Sequence, residues 1–195
     1  MIAIVTALKE ELSPLLRRAK IDRIDRGAYV GTLGGIPVVM KCTGVGVANA
    51  EKNLNDLLHR FTKIDSIIAA GVAGAIAPHL KRGDIIVDGE SGRPGRSVRA
   101  SRSDTDDGDR ARRPIAAGET PALRGSRIAT VEKITRDKKS IDADAIDMES
   151  AGWKRAAERA GVPIKIVRVI FDSVDEPVPD FIGDTVDRGA IARYA

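Results

Sequence analysis

Four carboxylates stand just beyond apolar, β-prone runs of this sequence: Glu10, Glu11, Glu149 and Asp172. Asp172 ends the run Ile164–Phe171, where a purely structural acid has little reason to be. A carboxyl group held among apolar side chains can stay protonated at neutral pH and act as a general acid. The alternative is a cap on a turn or helix. Glu149 opens a helical pattern, so it either favours the positive end of a helix or accepts hydrogen bonds from two sugar hydroxyls. Glu10 and Glu11 fall in a first helical turn and carry the same dipole reading, or one of them activates water as a general base. An acid on one side of a bond and a base on the other is what glycosidic cleavage by water requires.

Two glycine segments follow strands as well, Gly44-Val45-Gly46 and Gly71-Val72-Ala73-Gly74. Such loops let backbone N–H groups approach an anion or a sugar, and they also serve plain tight packing. Residues 44–49 partly mimic a dinucleotide fingerprint but lack its third glycine. The acid at the right distance, Asp65, begins a strand instead of ending one. A nicotinamide-dependent oxidoreductase is therefore a distant alternative.

The elements that must position these residues are legible from periodicity. Met1–Ala7 reads as a buried strand, followed by a helix marked by Leu8, Leu12, Leu15, Leu16 and Ala19. Tyr29–Leu33 and Ile36–Thr43 form a hairpin across Gly34-Gly35. Val47, Ala50, Leu54, Leu57, Leu58 and Phe61 mark one face of a second helix. Asp65–Ala70, Asp84–Val87, Arg127–Val131, Ala143–Asp147 and Ile164–Phe171 read as strands. A helix over Glu149–Ala160 stops at Gly161, with Pro163 beyond it. Strands alternating with helices predict one α/β domain over residues 1–195, a three-layer α/β/α arrangement around a central mixed β-sheet. In such sheets ligands sit outside the carboxyl ends of the strands, where the carboxylates and glycines cluster. The stretch at about 89–121 is rich in Gly, Ser, Asp, Arg and Pro and reads as a long polar loop.

Composition narrows the classes. At 195 residues, 43% hydrophobic and 31% charged, the chain can bury a core and carries no 20-residue apolar run. Neither a signal peptide nor a membrane span is expected. A single cysteine, Cys42, excludes an internal disulfide and a cysteine-rich zinc site, so a cytoplasmic location is the simplest expectation. Two histidines, His59 and His79, make a histidine-rich metal site an unpromising reading. Arg93–Arg113 holds seven Arg and four Asp, which leaves the rest of the chain nearly neutral despite a net charge of +4. No aromatic residue lies in that stretch, so no nucleic-acid partner is expected.

Four segments together resemble the nucleoside phosphorylase and nucleosidase superfamily, which includes purine nucleoside and uridine phosphorylases. They are Ile2–Glu11; Cys42-Thr43-Gly44-Val45-Gly46; Gly71–Gly74 with Pro78 and Lys81-Arg82-Gly83-Asp84-Ile85; and Asp147-Met148-Glu149-Ser150 with Val167–Asp172. The last segment looks most like the hopanoid-associated branch. The double glutamate is similar to methylthioadenosine/S-adenosylhomocysteine nucleosidases. The resemblance implies a mixed sheet flanked by helices and cleavage of an N-ribosidic bond. It implies that Asp172 protonates the leaving purine, that Glu149 binds the ribose hydroxyls with Met148 against the sugar, and that Glu11 polarises the attacking water. Gly44 and Gly74 match loops around the nucleophile and sugar, and Ile134 and Phe171 the base pocket. Relatives are often dimers or hexamers, so a homo-oligomer acting on a small nucleoside is expected by analogy.

The chain departs from the family pattern in a shortened, Arg-rich middle region, in the expected lack of the long C-terminal helix with which relatives close the site, and at three residues. Val72 stands where nucleosidases commonly have Ser, Ile134 near an aromatic that stacks on the base, and Phe171 where a Ser flanks the acid. The expected function is hydrolysis of a purine nucleoside or 5′-modified adenosine, with no metal or organic cofactor. The alternatives are phosphorolysis, with phosphate as co-substrate and Lys41, Arg168 or the Arg-rich loop as donors, and nucleoside binding without turnover.

Overall fold

A computed structural model of the chain describes residues 1–88, 124–132 and 140–174. The Arg-rich stretch, Ile134 and the residues after Val174 lie outside the described residues. The elements run β1 (Ile2–Thr6), α1 (Lys9–Leu16), β2 (Lys20–Asp25), β3 (Ala28–Leu33), β4 (Ile36–Cys42), α2 (Val47–Arg60), β5 (Ser66–Ala75), β6 (Ile85–Asp88), β7 (Arg124–Gly125), β8 (Ile128–Thr130), β9 (Ala145–Asp147), α3 (Ser150–Ala160) and β10 (Ile164–Asp172).

The strands form one mixed sheet in the order β2-β3-β4-β1-β5-β10-β6-β7, with β9 against β5 and β8 against β9. β1 runs parallel to β4 and β5, and β5 parallel to β10. The carboxyl ends of β4, β1, β5 and β10 therefore open on one edge. That edge receives the start of α1, the loop after Cys42, residues 71–74 and Asp172.

Helices cover both faces. On one, α2 and α3 bury Leu54, Leu57 and Trp153 against Ala3, Val5, Val39 and Ile166. On the other, Leu12 of α1 packs on Ile4, Val38 and Met40. Each large aliphatic side chain so buried contributes about 1.5–3 kcal/mol. The two helices on the first face approach closely at Gly152, where an added Cβ would stand 2.3 Å from the Val47 carbonyl oxygen. That approach brings the start of α3 to the start of α2.

Two expectations need correction. β5 does not end at Ala70 but runs through the glycine segment to Ala75. Its partners continue that far, with Asp172 opposite Gly74 on one side and Ile146 opposite Gly74 on the other. Gly71 and Gly74 are therefore strand residues, not a loop. Residues 20–25 form a strand where none was expected, because Lys-Ile-Asp-Arg-Ile-Asp carries too much charge for a core strand. β2 pairs with β3 alone at the sheet edge, where charged side chains reach solvent.

Candidate active site

Glu11 is built into the turn between β1 and α1. Its Oε2 accepts the Ala7 and Leu8 N–H groups at 3.0 and 2.9 Å. Its Oε1 accepts the Val72 N–H at 3.1 Å. β1 stops pairing with β5 at Ala69, so the carboxylate takes over the donor that the strand leaves behind. Burial pushes the Glu11 carboxyl above its ordinary value, and the three backbone N–H groups and Arg168 oppose that shift. A base raised in this way is better matched to proton transfer near neutral pH. The neighbouring Glu10 makes no such contact.

Glu149 lies immediately before α3 and is buried. Its Oε1 accepts the Gly46 N–H at 3.0 Å, so the Gly44–Gly46 loop meets α3 through this carboxylate. Gly44 itself rests on the Asn49 side chain. Burial pushes the Glu149 carboxyl up to about 7; the Gly46 N–H and Arg168 pull it down, and Asp147 and Glu11 add to the rise. Met148 beside it is half-buried.

Arg168 joins the two carboxylates. It is fully buried on β10, directly opposite Gly71 of β5. Its Nη2 stands 3.9 Å from Glu149 Oε2. A Cβ on Gly71 would lie 2.4 Å from Arg168 Nη1 and 2.7 Å from Glu11 Oε1, so only glycine leaves room for both groups here. Among the described residues, Arg168 Nη1 is the one buried side-chain polar atom with no hydrogen-bond partner. It makes no ion pair with Glu11, although both atoms crowd the same point. A carboxylate oxygen that can accept and a guanidinium N–H that can donate thus meet beside Gly71. A single small oxygen species such as water satisfies both.

Asp172 stands on the same pair of strands, roughly 10 Å further along at the rise of an extended chain. Its Oδ1 lies 3.1 Å from where a Cβ on Gly74 would start, beside Ile146. Phe171 is half-buried, with the Arg82 guanidinium 5.7 Å from its ring centre. Val72 exposes its side chain, but it serves Glu11 through its backbone N–H, so the absent hydroxyl does not disturb that contact.

Glu11, Glu149, Asp172, Met148, Gly44 and Gly74 therefore gather at one edge of the sheet. Ile134 lies outside the described residues. Lys41 is corrected as a phosphate donor: its charged neighbours are Asp56 and Arg60, towards the far end of α2. Reading from sequence alone underrated Arg168 and missed Asp147. The signal was present. Ile166, Arg168 and Ile170 share one face of an apolar strand, and a lone Arg at such a position needs a buried partner.

Residues 1–93 match the sequence model of the Phosphorylase superfamily. The 5′-methylthioadenosine/S-adenosylhomocysteine nucleosidase of Anoxybacillus flavithermus is 29% identical over 206 residues, covering 88% of this chain and 84% of that protein. The chain is thus similar to the phosphorylase superfamily over its first 93 residues and to this nucleosidase over most of its length. The nucleosidase of the same description from Maridesulfovibrio salexigens is 29% identical over 203 residues, covering 90% and 87% of the two chains. Among solved structures, the S-adenosylhomocysteine nucleosidase of Streptococcus pyogenes in complex with 5-methylthiotubericidin superposes with a TM-score of 0.64 at 26% identity, over 89% and 85% of the two chains. The Campylobacter jejuni 5′-methylthioadenosine/S-adenosylhomocysteine nucleosidase, at 20% identity, shares the fold with a TM-score of 0.68 over 98% of this chain and 94% of its own. Among the described residues, no helix is long and apolar enough to cross a membrane.

Proposed function

We propose that this chain is a nucleosidase that hydrolyses the N-glycosidic bond of a 5′-modified adenosine. The convergence of Glu11 Oε1 and Arg168 Nη1 on Gly71 carries the reading, because it brings one acceptor and one unsatisfied donor together, the pair that a water molecule matches. The relatives named 5′-methylthioadenosine/S-adenosylhomocysteine nucleosidase support the choice of substrate class.

The residues divide the reaction between them. Asp172 delivers a proton to the departing base, so the electrons of the breaking C–N bond leave on a neutral heterocycle. The sugar flattens towards an oxocarbenium ion, and Glu149 holds its hydroxyls as charge develops. Met148 packs against the sugar. Water held between Glu11 and Arg168 adds to the anomeric carbon and gives its proton to Glu11. The roughly 10 Å between Gly71 and Asp172 places nucleophile and acid at opposite ends of a sugar-plus-base. This chemistry needs an acid, a base and water, and calls on no metal or organic cofactor.

Phosphate fits the same space poorly. It would bring negative charge beside two carboxylates, Glu11 and Glu149, against one unsatisfied guanidinium N–H. The same reading takes the protein as a cytoplasmic homo-oligomer, which sedimentation tests separately. The decisive experiment incubates the full chain with a nucleoside panel, with and without phosphate, and identifies both products. Free adenine with a free 5-thioribose-type sugar, at a rate independent of phosphate, is the expected result. Ribose 1-phosphate esters formed only with phosphate would overturn hydrolysis, and nucleoside binding with no base release would overturn catalysis.

A further inference from the structure

The carboxylate of Asp147 holds the donor half of the water site, Arg168, and the backbone N–H of Glu149. Its Oδ2 accepts Arg168 Nε at 2.9 Å and Nη2 at 2.6 Å, and also the Ser150 hydroxyl. Its Oδ1 accepts the Thr130 hydroxyl at 3.0 Å and the Ser150 N–H at 3.1 Å, with the Glu149 N–H at 3.3 Å. One buried side chain thus fixes the guanidinium of β10, the first turn of α3 with its Glu149, and β8.

Resting on the nucleosidase reading, we propose that Asp147 is the positioning residue of the water site: by holding Nε and Nη2 of Arg168, it leaves Nη1 as the single donor turned towards Glu11. A guanidinium is a rigid plane with five N–H groups, so fixing one edge and one face fixes the rest. Asp147 fixes the edge. The Trp153 ring takes the face, with its centre 4.7 Å from the guanidinium carbon. Trp153 is itself held, since its Nε1 donates to the Thr43 hydroxyl at 3.1 Å and that hydroxyl donates to the Thr6 carbonyl at 3.0 Å.

A role in stability alone explains this arrangement poorly. Asp147 and Arg168 expose 1% and 0% of their side chains, and such a pair is often no more stable than apolar residues of the same volume. The neighbours of Arg168 on its strand face are Ile166 and Ile170, so an aliphatic residue would continue the core. The structure instead keeps a guanidinium with an unsatisfied N–H, beside a glycine whose missing side chain makes room for it.

Three variants of the full chain test the assignment: Asp147→Asn, Ser150→Ala and Arg168→Met. Adenine release from 5′-methylthioadenosine is followed across pH, with the emission of the single tryptophan, Trp153, read in parallel. Displacing the donor by about an ångström predicts a loss of kcat of about 100-fold in Asp147→Asn, with KM changed less than about threefold. The groups facing Glu11 are Arg168 from β10, Glu149 before α3 and Cys42 from β4. Loosening the one cation among them moves the acid limb of the pH profile to higher pH. Trp153 emission shifts in the same direction as in Arg168→Met. Ser150→Ala gives a smaller change of the same kind and decides the matter if Asp147→Asn does not fold. An unmoved pH limb, with activity lost only in proportion to the unfolded fraction, would reduce Asp147 to a structural cap and overturn the proposal. If the wild type releases no adenine, the nucleosidase reading fails instead, and Trp153 emission still reports whether Asp147 holds Arg168.

Discussion

Gly71 and Arg168 sit opposite each other on neighbouring parallel strands, and Arg168 Nη1 occupies the space that a side chain on Gly71 would need. The same space borders Glu11 Oε1. Gly71→Ala would place a methyl carbon 2.4 Å from the nitrogen and 2.7 Å from the oxygen. Neither group can yield easily, because Arg168 is held by Asp147 and Glu11 by three N–H groups. Thermal unfolding and steady-state kinetics are expected to show a stability loss of about 1–3 kcal/mol and a far larger loss of kcat. Unchanged activity in a folded Gly71→Ala protein would contradict the water site.

The pH dependence of catalysis follows from the two raised carboxyls. Glu11 must be ionised to take a proton from water, and Glu149 must be ionised to accept two hydroxyl hydrogens. Burial raises both, Glu149 to about 7. The expected kcat/KM therefore falls as pH drops through about 7, well above where an exposed glutamate titrates. A profile flat down to the ordinary carboxylate range would contradict these assignments.

Stability should carry the opposite sign at Glu149. The folded chain still holds this proton at pH values where the unfolded chain has released it, between 4.5 and about 7. The group therefore costs stability progressively as pH rises through that window, and the full cost is present above it. Glu149→Gln removes the titration and keeps an acceptor for the Gly46 N–H. Denaturant unfolding is expected to find this variant more stable than wild type in mildly alkaline buffer, by up to about 3 kcal/mol. The difference should vanish in acid.

Lys41 offers a test away from the site. It is buried on β4 with no hydrogen bond or ion pair among the described residues, and burial, with Arg60 beside it, holds its ammonium below the ordinary lysine value. The unfolded chain binds this proton more tightly, so the charge costs stability at neutral pH and the cost fades as pH rises towards 10.5. Lys41→Met keeps the stem and removes the charge. Calorimetry is expected to show a Tm higher by about 2–4 °C at neutral pH, with a smaller gain at alkaline pH.

Much of this arrangement is legible in the sequence because it lies at strand ends. Glu11, Glu149 and Asp172 each interrupt a change from apolar run to turn or helix, and parallel strands bring such ends to one edge. Arg168 and Asp147 were harder to read. Their positions lie inside strands, where a charged residue looks like an interruption of the apolar pattern, and only the packing of α3 on β10 shows that they pair. The extent of β5 was hidden for a related reason, since glycines signal a turn locally while the strands on either side hold them extended. The charged β2 was invisible because an edge strand needs no apolar alternation.

The most direct measurement of the water-site claim is adenine release from 5′-methylthioadenosine in phosphate-free buffer by wild type, Glu11→Gln and Asp172→Asn, with nucleoside binding measured on the same samples. Steady release by wild type is expected, with a loss of about 10²–10⁴-fold in each variant and binding retained in both. Release that requires added phosphate, or that survives in both variants, would contradict it.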